Sequence, residues 1–477
     1  MKYLAIIPFL LFATISRSQT PSALIMENMD SLAQWFQIPA YSLLIQEKKE
    51  ITTQSFEGLS QLEKRKKNGP EYYHPIASLS KIYTAALFLK LEEEGKLKLD
   101  EPVNRYLYNS ALEDHIQIQH LLSHTSEGEV GKDFLYSRRF GLLTEVAKNA
   151  TLKSFPELIQ EYILDPLDLK ETAFLEEEVL EKHPVPSPYY YGNEGAEDGL
   201  YEFGVSAAAG LLATPTDFLK FFDQLVDGKM IKEENFQKMT TPFFAGSPYG
   251  LGLFSQQIGD QKVVWAYGQY DCFSSLFLYL PEVDVKVILQ ANNNLIADPA
   301  RMIYGDLTTN LFALQLLQEI AGKYQLSLWS EEEFEQKCRV AEALAQSYLS
   351  QFDNAFYQQA ISSYDHIFQA YPELDQNGSM AHLHGISFLK SVEAYRQLPP
   401  HQALDPHYLK LNVTLLKKQP HNPYLLYYMG TYYDMLQQPE RSKPFFIQLV
   451  RQPNYSKNWY TVEATEWLEK KMTPKQE

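Results

Sequence analysis

The chain has 477 residues, 45% of them hydrophobic and 21% charged, and its 60 acidic and 42 basic side chains leave a formal net charge of −18. That length exceeds one ordinary compact core, so two or three domains are expected, and the composition is that of a globular chain and not a disordered one. So acidic a balance excludes the basic stripe of a nucleic-acid binder and offers no attraction to anionic lipid.

The first residues, MKYLAIIPFLLFATISRSQT, carry one lysine, an apolar stretch from Leu4 to Ile15, and then Ser-Arg-Ser. This is the layout of a secretory signal over residues 1–18, cut after Ser18. The apolar stretch is too short to span a bilayer, and no later apolar run reaches about 18 residues. The expected mature protein is exported, periplasmic or extracellular, without a stable membrane anchor.

Tyr41–Gln46 and Ile51–Ser55 read as two strands joined by the charged turn Glu47–Glu50, followed by a polar stretch from Glu63 to Glu71. Helices are then expected over 79–95, 116–123, 139–150, 154–165 and 216–228. Gly95 suits a helix end, and Thr214 places a capping hydroxyl before Pro215. Tyr249–Gln256, Val263–Tyr267, Cys272–Leu280 and Val285–Ala291 read as strands, with a helix over 308–321 behind them. This order predicts one α+β domain over residues 22–322, closed by joining its two ends in a single sheet.

From residue 325 to 477 the pattern is all-α. Pro423–Asn454 fits a tetratricopeptide-like repeat through Leu426, Met429, Gly430, Tyr433 and Phe446, with Pro453 closing it. Residues 341–372 match more weakly through Leu344, Ala360, Tyr364, Ile367 and Pro372, and a plain helical bundle fits the same spacing. Such a region packs or binds and does not catalyse, so a protein partner is expected there. The two cysteines, Cys272 and Cys338, are expected as packed thiols, since nothing in their spacing demands a disulfide.

The chemistry concentrates in HPIASLSK, residues 74–81. On a helix, positions three apart share a face, so Ser78 and Lys81 stand one above the other on the first turn. From Ile82 to Leu91 only Thr84 and Lys90 are polar, so protein surrounds this helix and holds Lys81 at a dry end near the positive pole of the helix dipole. Both effects favour the neutral amine, a base able to activate a hydroxyl. On the four residues alone, a capping Ser78 with a snorkelling Lys81 is the favoured reading. His120 and His124 have the spacing of a zinc helix, but Leu121 occupies the place of the H-E-x-x-H base and no third ligand suggests itself. They are expected to be structural or capping, and no metal or cofactor is expected.

Seven segments supply the context. They are SLSK with EEGKLKLDEPVNRYL, IQIQHLLSHTSEG (116–128), DFLYSRR (133–139), YILDPLDLKETAF (162–174), SAAAGLLATPTDFLKFF (206–222), YGLGLF (249–254) and FSSLFLYLPEVDVKVILQANNN (273–294). In that order, over roughly residues 25–320, they resemble the beta-lactamase-related serine hydrolases, which include class C beta-lactamases, DD-peptidases and secreted esterases. The resemblance implies a beta-lactamase/transpeptidase-like α+β fold, an antiparallel sheet flanked by helices plus a helical subdomain, ahead of the all-α region. It implies that Ser78 is the acylated nucleophile, Lys81 its basic partner, and Tyr136 the tyrosine of a Tyr-x-Asn element that shuttles protons. A phenolate beside ammonium groups can titrate well below about 10.

Two departures stand out. Arg138 replaces the family's Asn, and it is placed to lower the pKa of Tyr136, to hold a substrate carboxylate, or to swing out to surface acid. The third motif, normally Lys or His, a small residue and Gly, aligns with Ala266-Tyr267-Gly268, or one residue later with Tyr267-Gly268-Gln269; both lack a cation. A glycine there lets a strand approach substrate closely, which favours the first register. The N–H groups of Ser78 and Gln269 would form the oxyanion hole. The expected activity is hydrolysis of small ester or peptide-like amide substrates through an acyl-enzyme. The alternative is a binding protein on a hydrolase fold that retains peptide or cell-wall fragments.

Overall fold

The computed structural model describes residues 21–349 apart from 109–111, 193–194 and 301, and in the C-terminal region 413, 416–417, 420–421, 423–451 and 459–472. The expected signal segment, most of the weaker repeat match and Pro453 lie outside the described residues.

Strands Ala40–Glu47 and Glu50–Gln61 form a hairpin. Its two loop residues, Lys48 and Lys49, take φ of 48° and 71°, the geometry that matches the twist of paired strands. A seven-stranded antiparallel sheet grows around it. From edge to edge the order is Lys66–Lys67, Glu50–Gln61, Ala40–Glu47, Val285–Ala291, Ser274–Leu280, Gln261–Gln269 and Phe254–Ile258. Leu43 faces Leu289 across the central seam, so the first strand and the last are neighbours, as the sequence order predicts. Ser274–Leu280 and Val285–Ala291 are buried along their whole length because helices cover both faces of the sheet.

On one face, Leu44, Val264, Phe277 and Ile288 pack with the helices Ser80–Glu93 and Pro215–Val226. On the other, Leu43, Trp265, Leu278 and Val287 pack with Pro21–Trp35 and Leu311–Tyr324. The N-terminal helix is absent from the sequence expectations, although Ile25, Met29, Leu32 and Phe36 carry its i, i+4, i+7 spacing. Helix Glu331–Leu349 joins the same cluster through Ala345, Tyr348 and Leu349, and Asn294 donates to the Tyr348 hydroxyl at 3.0 Å.

Several boundaries move for local reasons. The strand expected from Tyr249 begins only at Phe254, because Gly252 turns the chain at φ 89°. A side chain at Gly252 would meet Ala85 at 2.5 Å and the Lys81 carbonyl at 3.2 Å, so this loop lies directly on the Ser80–Glu93 helix. The expected 308–321 helix starts at Leu311, where Asn310 accepts from the Ala313 N–H. The 154–165 helix begins on the Ser154/Glu157 capping box and widens into a π turn at Gln160–Leu164.

In the C-terminal region, helices Pro423–Met435, Pro439–Val450 and Trp459–Met472 share a small core of Leu426, Phe446, Leu449, Tyr460, Ala464 and Leu468, and Leu135 of the α+β domain completes it. A side chain at Gly430 would strike the Phe446 ring at 2.4 Å, so glycine permits that helix contact. Both cysteines are free thiols. Among the described residues, no helix is long and apolar enough to cross a membrane.

Candidate active site

His74 and Pro75 pair with Ala213 and Leu212, and Ile76 donates its N–H to the Leu211 carbonyl. This anchoring delivers the chain to Ala77, which takes φ of 45°, a strained value for a residue with a side chain. Ala77–Leu79 then form one 3-10 turn, and the α-helix starts at Ser80. Ser78 is thus presented on a bent entry turn while its neighbours Ala77 and Leu79 are buried.

Lys81 follows inside the helix, 4% exposed, and its Nζ donates to Ser78 Oγ at 2.7 Å and to the Ala208 carbonyl at 3.1 Å. Its other neighbours are aromatic faces, with Nζ 5.0 Å from the Tyr136 ring centroid and 5.4 Å from that of Phe140. Burial pulls its pKa from 10.5 down to about 7. Near neutrality a large fraction of the amine is uncharged, and its lone pair can accept the Ser78 O–H proton.

Tyr136 closes the triad, with its phenol hydrogen-bonded to Ser78. Its ring lies 4.2 Å from His124, 5.7 Å from Tyr267 and 5.9 Å from Phe254. Burial outweighs the Ser78 hydrogen bond and pushes the phenol above its ordinary 10. The expectation of an easily ionised Tyr136 is therefore corrected: in the resting site it is a neutral phenol, because its burial among aromatic rings outweighs what favours the phenolate.

Arg138 is exposed, and the buried arginine is its neighbour. Ser137 caps the turn Arg138–Leu142, so the first residue of the turn faces out and the second faces in. Arg139 donates from its N–H to Ser137 Oγ at 3.0 Å and from its guanidinium to the Ser126 carbonyl at 2.6 Å. Of the two expected histidines, His120 accepts from the Gln117 N–H as a cap, and His124 accepts from the Ser137 N–H at 3.0 Å. The second therefore fixes the backbone next to Tyr136. Burial and the nearby Lys81 push the His124 imidazole well below its ordinary range, so it is neutral.

The third-motif strand approaches from the side. Ala266 and Tyr267 are buried, and residues 266–269 pair with Phe277, Leu276, Ser275 and Ser274. On the opposite edge the pairing with strand Phe254–Ile258 stops at Trp265, so no described strand covers 266–269 there. A side chain at Gly268 would come within 2.1 Å of the Ile76 carbonyl. That close approach fits the register Ala266-Tyr267-Gly268 and leaves Gln269 as the next residue. Sequence reasoning assigned no role to Ala208, Phe140, Glu127 or Arg139. All but Phe140 lie inside segments already matched, SAAAG, SHTSEG and DFLYSRR, yet only the folded chain shows what they touch.

The family model described as Beta-lactamase matches residues 32–306, more than half of the chain. The chain belongs to the beta-lactamase family. It shares this fold family with penicillin-binding proteins, amidases and esterases, whose members are generally serine hydrolases. A curated relative, Protein flp of Staphylococcus aureus (strain MW2), is 24% identical over 305 residues, 54% of this chain and 60% of that protein. The chain thus spans about three fifths of that relative's length. Among solved structures, the octameric penicillin-binding protein homologue from Pyrococcus abyssi aligns with TM-score 0.56 and 22% identity, covering 62% of this chain and 77% of that one. The D-amino acid amidase from Ochrobactrum anthropi SV3 aligns with TM-score 0.55 and 20% identity, covering 64% and 99%. These two likenesses carry the fold.

Proposed function

We propose that this member of the beta-lactamase family is an exported serine hydrolase that works through an acyl-enzyme on Ser78. The observation that carries the reading is the 2.7 Å contact between Ser78 Oγ and a Lys81 amine brought to about neutral pKa by burial. Ser78 Oγ attacks the substrate carbonyl and its proton passes to Lys81 Nζ; the N–H groups of Ser78 and Gln269 receive the negative charge on oxygen. The neutral Tyr136 phenol, bonded to Ser78, hands a proton to the leaving alcohol or amine and regains one from Lys81. Water then attacks the acyl carbon, its proton returns through the same groups, and the carbon–Oγ bond breaks. The aromatic surroundings and the lack of a cation at 266–268 favour neutral esters or peptide-like amides over carboxylate-bearing beta-lactams.

The exposed Arg138 and the cation-free third motif favour a second reading, a binding protein that retains a peptide or cell-wall fragment. A fluorophosphonate probe and a panel of p-nitrophenyl esters, D-amino-acid amides and a cephalosporin separate the two. Labelling and ester turnover that disappear in Ser78→Ala support the hydrolase; retention of ligand with no labelling supports the binder. Export rests on the leader at residues 1–18, and amino-terminal sequencing of protein recovered from the medium or periplasm should begin at Gln19.

A further inference from the structure

Glu127 is a fully buried carboxylate, ten residues before Ser137 and outside the catalytic triad. Three groups converge on it. Ser137 donates its hydroxyl to Oε1, Arg139 Nε lies 3.6 Å away, and the Tyr460 hydroxyl, from helix Trp459–Met472, donates to Oε2 at 3.1 Å. Ser137 directly follows Tyr136, and Leu135, directly before it, is packed into the core of the C-terminal helices. Both backbone neighbours of the proton-shuttling phenol are therefore held by contacts that end on the C-terminal region.

We propose that Glu127 and Tyr460 are positioning residues for Tyr136, and that the C-terminal helices complete the active site by fixing the loop that carries it. The inference rests on the hydrolase reading above. A buried carboxyl group must be hydrogen-bonded on several sides to stay ordered, and Tyr460 supplies one of those bonds across the domain contact. Removing that hydroxyl takes one hydrogen bond from Glu127, loosens Ser137, and lets the Tyr136 phenol drift from Ser78. Such a displacement costs turnover far more than substrate binding.

The full-length chain tests this with p-nitrophenyl butyrate, a fluorophosphonate probe and thermal melting. Tyr460→Phe and Glu127→Gln should lower kcat about ten-fold or more with KM within about two-fold, and should slow labelling of Ser78 in parallel. Glu463→Ala, which removes the carboxylate that accepts from the Tyr427 hydroxyl on the same helices, should keep wild-type kcat. Wild-type kcat in Tyr460→Phe overturns the inference. So does an equal loss in Glu463→Ala, which would mark a general loosening of the helices. A wild-type chain that is not labelled at all defeats the underlying hydrolase reading, and this inference with it; labelling of wild type and Tyr460→Phe at one rate defeats this inference alone.

Discussion

An ammonium as enclosed as that of Lys81 loses hydration that the faces of Tyr136 and Phe140 restore only in part. The drop from 10.5 to about 7 corresponds to about 5 kcal/mol of preference for the neutral amine. Because the folded pKa lies below the unfolded one, the unfolded chain binds more protons between pH 7 and 10.5, and stability should rise with pH across that window. Lys81→Met removes the charge at similar length. It should be inactive yet more stable than wild type at pH 6, with the advantage shrinking toward pH 10; urea unfolding at pH 6, 8 and 10 measures it, and a constant difference would contradict the argument. The same titration should set the acid limb of kcat/KM, with activity rising through about pH 7. Tyr136 is pushed above 10, so its ionisation should impose no alkaline limb below that pH. Arg138 is exposed beside this machinery. Arg138→Ala should leave neutral esters within about two-fold while raising KM for carboxylate-bearing ones, since a lone exposed charge acts through Coulomb attraction alone.

Strand Gln261–Gln269 and the Ala77–Leu79 turn meet backbone to backbone, and Gly268 permits the contact. Gly268→Ala would force a Cβ to within 2.1 Å of the Ile76 carbonyl, so the strand or the turn must shift. A loss of about 1–3 kcal/mol in stability and a larger loss in esterase activity are expected. Melting and ester kinetics on one preparation would show whether the two fall together. Elements with strong local signals were readable in advance: the Thr214-Pro215 helix start, the charged hairpin, and the apolar strands 274–280 and 285–291. Tyr249–Leu253 was misread because glycine-linked apolar residues can turn as easily as extend, and contact with the Ser80–Glu93 helix decides which. Arg138 and Arg139 were likewise indistinguishable in sequence until the Ser137 cap set which of them faced inward.

Sheet closure joins residues 40–47 to 285–291, so the domain cannot complete its central seam until nearly all of it has been made. Native-state hydrogen exchange should find Leu43–Ile45 and Val287–Leu289 opening at one shared free energy, that of global unfolding, while the hairpin edge at Lys66–Lys67 exchanges faster. Separate opening of the two central strands would contradict this. The cluster around Leu135 binds the C-terminal helices to the loop of Tyr136, so the two regions should melt in one transition.

The order of motifs, the apolar character of the helix behind Ser78, and the shared face of Ser78 and Lys81 were legible in the chain, because they depend on neighbours a few residues away and on periods of two and 3.6. The protonation of Tyr136, the inward turn of Arg139 and the bond from Tyr460 to Glu127 were not. Each depends on which distant side chains exclude water from a given atom, and residues 127 and 460 become neighbours only when the chain has folded.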